Sequence, residues 1–279
     1  MGLSRQSTGR SVALLSCGID SLATLRWNRL HVSPDHPYWI DSVVYFTYDA
    51  DPEPSLDALM AVTAARRPAI ENVTRAAGAT PMPVRSNLWW LLDDGRFYTY
   101  MWHGSVCASL LTFFAPGFSR GCVASSHCPV VVTPYGSHPL LDPYFASAHF
   151  PIEHDLFSMG RLEKTALVAD WAEGAANIRV CQNDSAGREN CCTCEKCIRT
   201  ITTLAAFGKL EAARASFPYA DLGPELIGTI DEYNMIKGHP YYLHWYGQLV
   251  PLLKRRGLGP VATALEAVLA AADDTRAHH

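Results

Sequence analysis

This chain of 279 residues has few charged side chains, 18% of the total, no excess of basic ones and no long apolar run. Lys and Arg total 23 against 27 Asp and Glu, a net charge of −4 that excludes a broad electrostatic grip on DNA or tRNA. Nucleic acid is therefore not an expected partner. No apolar stretch approaches the ~20 residues that span a bilayer, so no membrane partner is expected either. The opening segment MGLSRQSTGR leads straight into a five-residue apolar run, too short for a signal peptide's apolar segment. The expected location is cytoplasmic. Internal repeats and low-complexity linkers are missing, and so is the Gly-Lys-Ser/Thr ending of a Walker loop.

Hydrophobic residues make up 48%, enough for an ordinary globular core. SVALL (11–15) has the character of a buried parallel strand and is followed by helical spacing over 21–30. Further strands are expected at 41–49, 80–84, 121–126, 150–154 and 177–181. Helices are expected at 55–77, where Pro68 should interrupt, and at 102–115, 160–173 and 198–207. Alternating strands and helices predict an α/β fold, a parallel sheet with helices on both faces. Residues 1–208 would form this domain and 209–279 a helical C-terminal extension.

Nine cysteines are many for a cytosolic chain. Cys17, Cys107, Cys122 and Cys128 are scattered, whereas Cys181, Cys191, Cys192, Cys194 and Cys197 crowd together. An odd total with tight clustering points to metal rather than to a disulfide framework. Cys181, Cys191, Cys194 and Cys197 supply four thiolates for a closed, structural Zn2+ site. Cys192 is the competing ligand; Cys191 is chosen because it leaves two-residue gaps on both sides of Cys194. An iron–sulfur cluster and metal-free buried thiols are the alternatives.

The stretch Ser16-Cys17-Gly18-Ile19-Asp20-Ser21 stands between the first strand and the first helix. Unpaired first-turn amides, the helix dipole and two hydroxyls make such a loop an anion site. Gly18 would let the backbone approach a ligand or turn left-handed. Asp20 would cap the helix or hold a divalent cation. A capped turn with no ligand is the plainer alternative.

These residues resemble the SGGxDS signature of the PP-loop ATP pyrophosphatase superfamily, with Cys17 where glycine is usual, a residue that resists positive φ. The cysteine spacing, followed by Ile198-Arg199 and preceded by Arg161-Leu162-Glu163-Lys164, is similar to the 7-cyano-7-deazaguanine synthase family within it. The resemblance covers 16–21 and about 150–200, is weak over 50–120 and absent after about 210. It implies an adenine nucleotide alpha hydrolase-like fold and an ATP- and Mg2+-dependent ligase that adenylates a small-molecule acid and releases pyrophosphate. Ammonia, an amine or sulfur would then displace AMP.

The implied catalytic residues are Ser16, Asp20, Ser21 and Lys164. The implied nucleotide-binding residues are Ser16, Cys17, Gly18, Ile19, Asp20, Ser21, Tyr48, Asp49 and Arg161. Residues 136–143, with His138 and Asp142, form a candidate substrate loop, and Ser125–Cys128 could face the same pocket. His103, His127 and His154 are further candidates, and Cys17, Cys122 and Cys128 are candidate sulfur carriers. The chain could pair as a homodimer. The rival function is a non-catalytic nucleotide- or nucleic-acid-binding zinc module.

Overall fold

The structure is a computed structural model that describes residues 9–47, 56–86, 88, 94–181, 190–232 and 240–276. Its sheet contains β1 (Ser11–Leu14), β2 (Ile40–Thr47), β3 (Thr80–Arg85), β4 (Arg120–Ala124) and β5 (Ile152–Asp155). The strand order is β3-β2-β1-β4-β5, and every pairing is parallel. The helices are α1 (Ile19–His31), α2 (Leu56–Ala77), α3 (Gly95–Phe97), α4 (His103–Thr112), α5 (Arg161–Ala169) and α6 (Ala172–Ala176). They continue with α7 (Glu195–Ala206), α8 (Pro224–Glu232), α9 (Pro240–Arg255) and α10 (Gly259–Arg276). No helix among the described residues is long and apolar enough to cross a membrane.

Strand periodicity explains the layers. On β1, Val12 and Leu14 face one side, where they pack with Val44, Val123 and the α4 residues Val106, Leu110 and Leu111. Ala13 and Leu15 face the other side and join Leu22 and Leu25 of α1, Val73 of α2 and Val168 of α5. The central strand is therefore apolar throughout because helices cover both of its faces.

Helix α7 is shared by two cores. Ile201 and Leu204 pack toward the sheet, while Ile198 and Ala206 pack on Ile230, Tyr246, Leu249 and Leu265 of the C-terminal helices. The expected boundary at 208 precedes a segment, Ala213 to Phe217, that packs into the sheet core.

Three sequence expectations are corrected. Helix α2 runs through Pro68, which sits on its exposed side. The helix expected at 160–173 breaks after Ala169, where buried Trp171 becomes the N-cap of α6.

The strand expected at 177–181 does not form. Its amides bond elsewhere: Ile178 N donates to Ser216 Oγ at 2.8 Å, and Val180 N and Cys181 N donate to Asn190 Oδ1 at 2.9 and 3.1 Å. With those partners, the segment gains nothing further by joining the sheet.

Candidate functional site

From β1 the chain builds outward through β2 and β3, then crosses to β4 and β5 on the opposite side. Crevices for ligands open at such a reversal, outside the carboxyl ends of the strands. Here the loop after β1, residues 15–18, faces the turn after β4, residues 125–128.

The first loop is held by its own serines. Ser21 Oγ donates to Gly18 O at 3.1 Å and accepts from Ser16 N at 3.3 Å, and Ser16 Oγ accepts from Gly18 N at 3.1 Å. Ser16 is exposed, whereas Ser21 and Ile19 are buried, so Ile19 serves the core. Gly18 is the N-cap of α1 with φ −69°, and the left-handed residue is Cys17, at φ 60°. The expected roles of these two positions are exchanged. The bend is held by Arg179 N, which donates to Cys17 O at 2.8 Å. Cys17 is fully buried, and burial pushes its thiol up to about 12. It stays protonated, which does not suit a sulfur carrier.

Asp20 occupies the first turn of α1 but does not cap it. Arg161 Nη1 donates to Asp20 Oδ2 at 2.7 Å, Ser126 Oγ donates to the same oxygen at 3.3 Å, and Lys164 Nζ lies 3.9 Å from Oδ1. Burial pushes the Asp20 carboxyl up, but Arg161 and Lys164 outweigh it and hold the group below its ordinary value. Lys164 is 2% exposed, and its ammonium also donates to Ser125 O at 2.5 Å. Helix α5 presents Arg161 and Lys164 together because its first turn is tied by Glu163 Oε2, which accepts from Gly160 N at 2.6 Å. Sequence positions 20, 161 and 164 thus form one cluster.

A second network supports Ser125. His154 Nδ1 meets Asp142 Oδ2 at 2.8 Å, and His154 Nε2 meets Ser125 Oγ at 2.7 Å. The order Ser–His–Asp suggests a nucleophile, but Ser125 is fully buried and donates to His127 O at 2.9 Å. The chain of bonds therefore holds the turn after β4. Asp142 also accepts from Ser137 Oγ at 2.7 Å and His138 N at 3.0 Å, which draws the expected substrate loop to the same place. Burial pushes His103 and His127 down to about 4, so both are neutral near pH 7.

Helix α7 adds cations that the sequence reading left without a role. Lys196 lies in the electrostatic field of Asp20, Arg161 and Arg199. Arg199 is buried, with Nε 3.4 Å from Glu195 Oε1 and its guanidinium 5.4 and 5.5 Å from the rings of Tyr241 and Tyr242. Tyr246 Oη donates to Glu195 Oε1 at 3.0 Å. The available signal was local: Glu195 and Lys196 are the residues between two cysteines of the cluster. Tyr48 and Asp49 lie outside the described residues.

The sulfurs of Cys181, Cys191, Cys194 and Cys197 all lie within 4.8 Å of one another. Cys181 and Cys194 are 3.9 Å apart, and Cys191 and Cys197 are 4.0 Å apart. A tetrahedral zinc with its usual bonds to sulfur needs edges of about 3.8 Å, so the set fits such an ion. Cys192 turns away at φ 63° and directs its thiol to Asn190 O.

No protein-family model, curated protein or solved structure matches this chain.

Proposed function

We propose that the protein is an ATP-dependent, AMP-forming ligase that adenylates a small-molecule acid at the crevice between β1 and β4, with Zn2+ in the cysteine centre. The observation that carries this reading is the meeting of Asp20 with Arg161 and Lys164, which joins the loop motif to a segment 141 residues away. Four cations, Arg161, Lys164, Lys196 and Arg199, gather around two carboxylates, Asp20 and Glu195. On a chain of net charge −4, this local excess suits a polyphosphate.

In this mechanism Ser16 and the first-turn amides of α1 receive the phosphates, and Mg2+ travels with the nucleotide. Arg161 neutralises charge that develops on the departing pyrophosphate. Asp20 keeps Arg161 and Lys164 in place, a role that its contacts favour over direct ligation of magnesium. A cleft lined by Ser16, Tyr45, Phe46, Arg66 and Ile70 borders the loop, but with about 10 Å³ of free space it holds no more than a water, so a nucleoside would enter there only with these side chains moved aside. The acid would enter from the side of His103, Tyr135 and His138. Ammonia, an amine or sulfur would complete the reaction, and the protein would act as a cytoplasmic monomer or homodimer.

Incubation with ATP, Mg2+ and a panel of acids tests the proposal by its products. AMP and pyrophosphate in equal amounts are expected with at least one acid. ADP would overturn the mechanism, and ATP binding without turnover would favour the non-catalytic zinc module.

A further inference from the structure

The two faces of the sheet are covered unequally. On the side of Ala13 and Leu15, helices α1, α2, α5, α6 and α7 all contribute to the core. On the side of Val12 and Leu14, α4 is the one helix of more than five residues among the described residues of that core. Its outer surface, with Ser109, Thr112 and Phe113, is exposed. That surface holds a groove of about 510 Å³ lined by Ser105, Ala108, Ser109, Thr112, Phe113 and Phe145. Three of these residues are hydroxylic, yet each hydroxyl is engaged within its own helical turn. Ser105 Oγ donates to Trp102 O at 2.8 Å, Ser109 Oγ to Ser105 O at 2.7 Å and Thr112 Oγ1 to Ala108 O at 2.8 Å. The groove therefore presents carbon, and an apolar group can fill it without stranding a donor.

Charge is missing from the same region. No Asp, Glu, Lys or Arg occurs from Phe97 to Ser119, and from Gly121 to Ile152 the one such residue is Asp142, which is 0% exposed. A partner of strong charge finds nothing there to read, whereas a second copy of this chain meets no like charge. Large apolar side chains stand there instead. Phe113 is 87% exposed, and Tyr144, beside Phe145 in the 142–145 turn, is 85% exposed. These two rings offer roughly 300 Å² of the ~800 Å² that each partner gives to a stable interface. Met101, 67% exposed and one turn before Ser105, extends the surface.

We propose that this face of α4 is a two-fold dimer interface, in which the Phe113 ring of each copy seats in the groove of the other. Groove and ring lie on one helix, so the surface complements itself, as a two-fold interface requires. The two α4 helices run antiparallel with the axis at Ser109, which sets Phe113 opposite the partner's Ser105, about 6 Å along the helix from the axis. Ser105, Ala108 and Ser109 are small enough for the helices to approach at the near end of the usual range of roughly 8–10 Å. The dimer stands apart from the adenylation reading and does not depend on it.

Sedimentation of the full chain from low to high micromolar concentration tests this, and a dimer is the expected result. Phe113→Glu puts a charge into each apolar groove and should weaken the dimer at least a hundredfold, the order expected when two Phe rings lose their burial. Circular dichroism should show the fold unchanged, because the Phe113 side chain is exposed in the single chain. Ser105→Arg combined with Phe113→Glu sets opposite charges face to face in the antiparallel register and should restore the dimer. Leu30→Glu, on α1 and at a position 51% exposed, should dimerise as the unaltered chain does. A monomer at every concentration overturns the proposal, as does a dimer that persists in Phe113→Glu or is lost in Leu30→Glu. Failure of the double variant to restore the dimer overturns the antiparallel register. A monomer that floats with phosphatidylcholine vesicles, and no longer does so as Phe113→Glu, overturns the dimer and assigns the face to a lipid surface.

Discussion

Arg161 donates to Asp20 across 2.7 Å, and this bond joins the first turn of α5 to the first turn of α1. The two side chains are 10% and 17% exposed. Removal of the carboxylate would leave buried Lys164 facing Ser125 O, with the more weakly acting Asp155 as its remaining opposing carboxylate. The variant Asp20→Asn keeps the shape and loses the charge. Its expected cost is about 1–3 kcal/mol, read as a fall in Tm, together with at least a hundredfold loss of AMP formation. Full activity in this variant would refute the role given to Asp20.

The cysteine ligands can be separated by single substitutions. Cys191→Ser should lower the metal content well below one zinc per chain, because Cys191 belongs to the clustered set. Cys192→Ser should retain the metal, since the Cys192 thiol points to Asn190 O. Elemental analysis of both variants decides this, and iron in place of zinc would overturn the identity of the ion. Removal of the metal should cost a large part of the apparent site energy, on the order of 10 kcal/mol.

Asn190 should matter for stability out of proportion to its size. It is 3% exposed and accepts from Val180 N and Cys181 N while donating to Ile178 O at 2.8 Å and Ser216 O at 2.7 Å. Asn190→Ala leaves three buried backbone groups and the partly buried Cys181 N–H without these partners. The expected loss is roughly 3 kcal/mol or more, measured by denaturant unfolding, with faster metal release from the loosened Cys181 segment. A change below about 1 kcal/mol would show that the segment is held by other means.

Acid should weaken the fold through His103. In the unfolded chain this ring takes a proton near its ordinary value of 6.5, but in the fold burial holds it down to about 4. Between those values the unfolded chain binds more protons, so this contribution is complete above pH 6.5 and is lost as pH falls through about 4. The loss is up to roughly 3 kcal/mol. His103→Phe removes the proton-binding group and should shrink the drop in Tm between pH 7 and pH 4.5. Equal drops in the two proteins would contradict this.

The features legible in the sequence were those set by local spacing. A run such as SVALL reads as a strand because both of its faces are covered, and turn glycines mark helix ends, as Gly78 and Gly208 do at φ 62° and 66°. Cys194 and Cys197 are brought together by one helical turn, and this chemistry needs no distant partner to be recognised. Asp20 was singled out for the same reason, from its place in a short loop.

Tertiary structure decided which groups those residues meet. Asp20 was expected to cap a helix or hold a cation, and it holds Arg161 and Lys164, because the sheet order brings β1 and β4 side by side. Residues 177–181 have strand composition, but Asn190 and Ser216 take their amides first. Cys17 adopts a left-handed bend that its side chain disfavours, because Arg179 and a packed core hold it there. Local propensity contributes tenths of a kcal/mol to about 1 kcal/mol per residue, and a buried hydrogen-bond network contributes several. Where the two disagreed, the network prevailed.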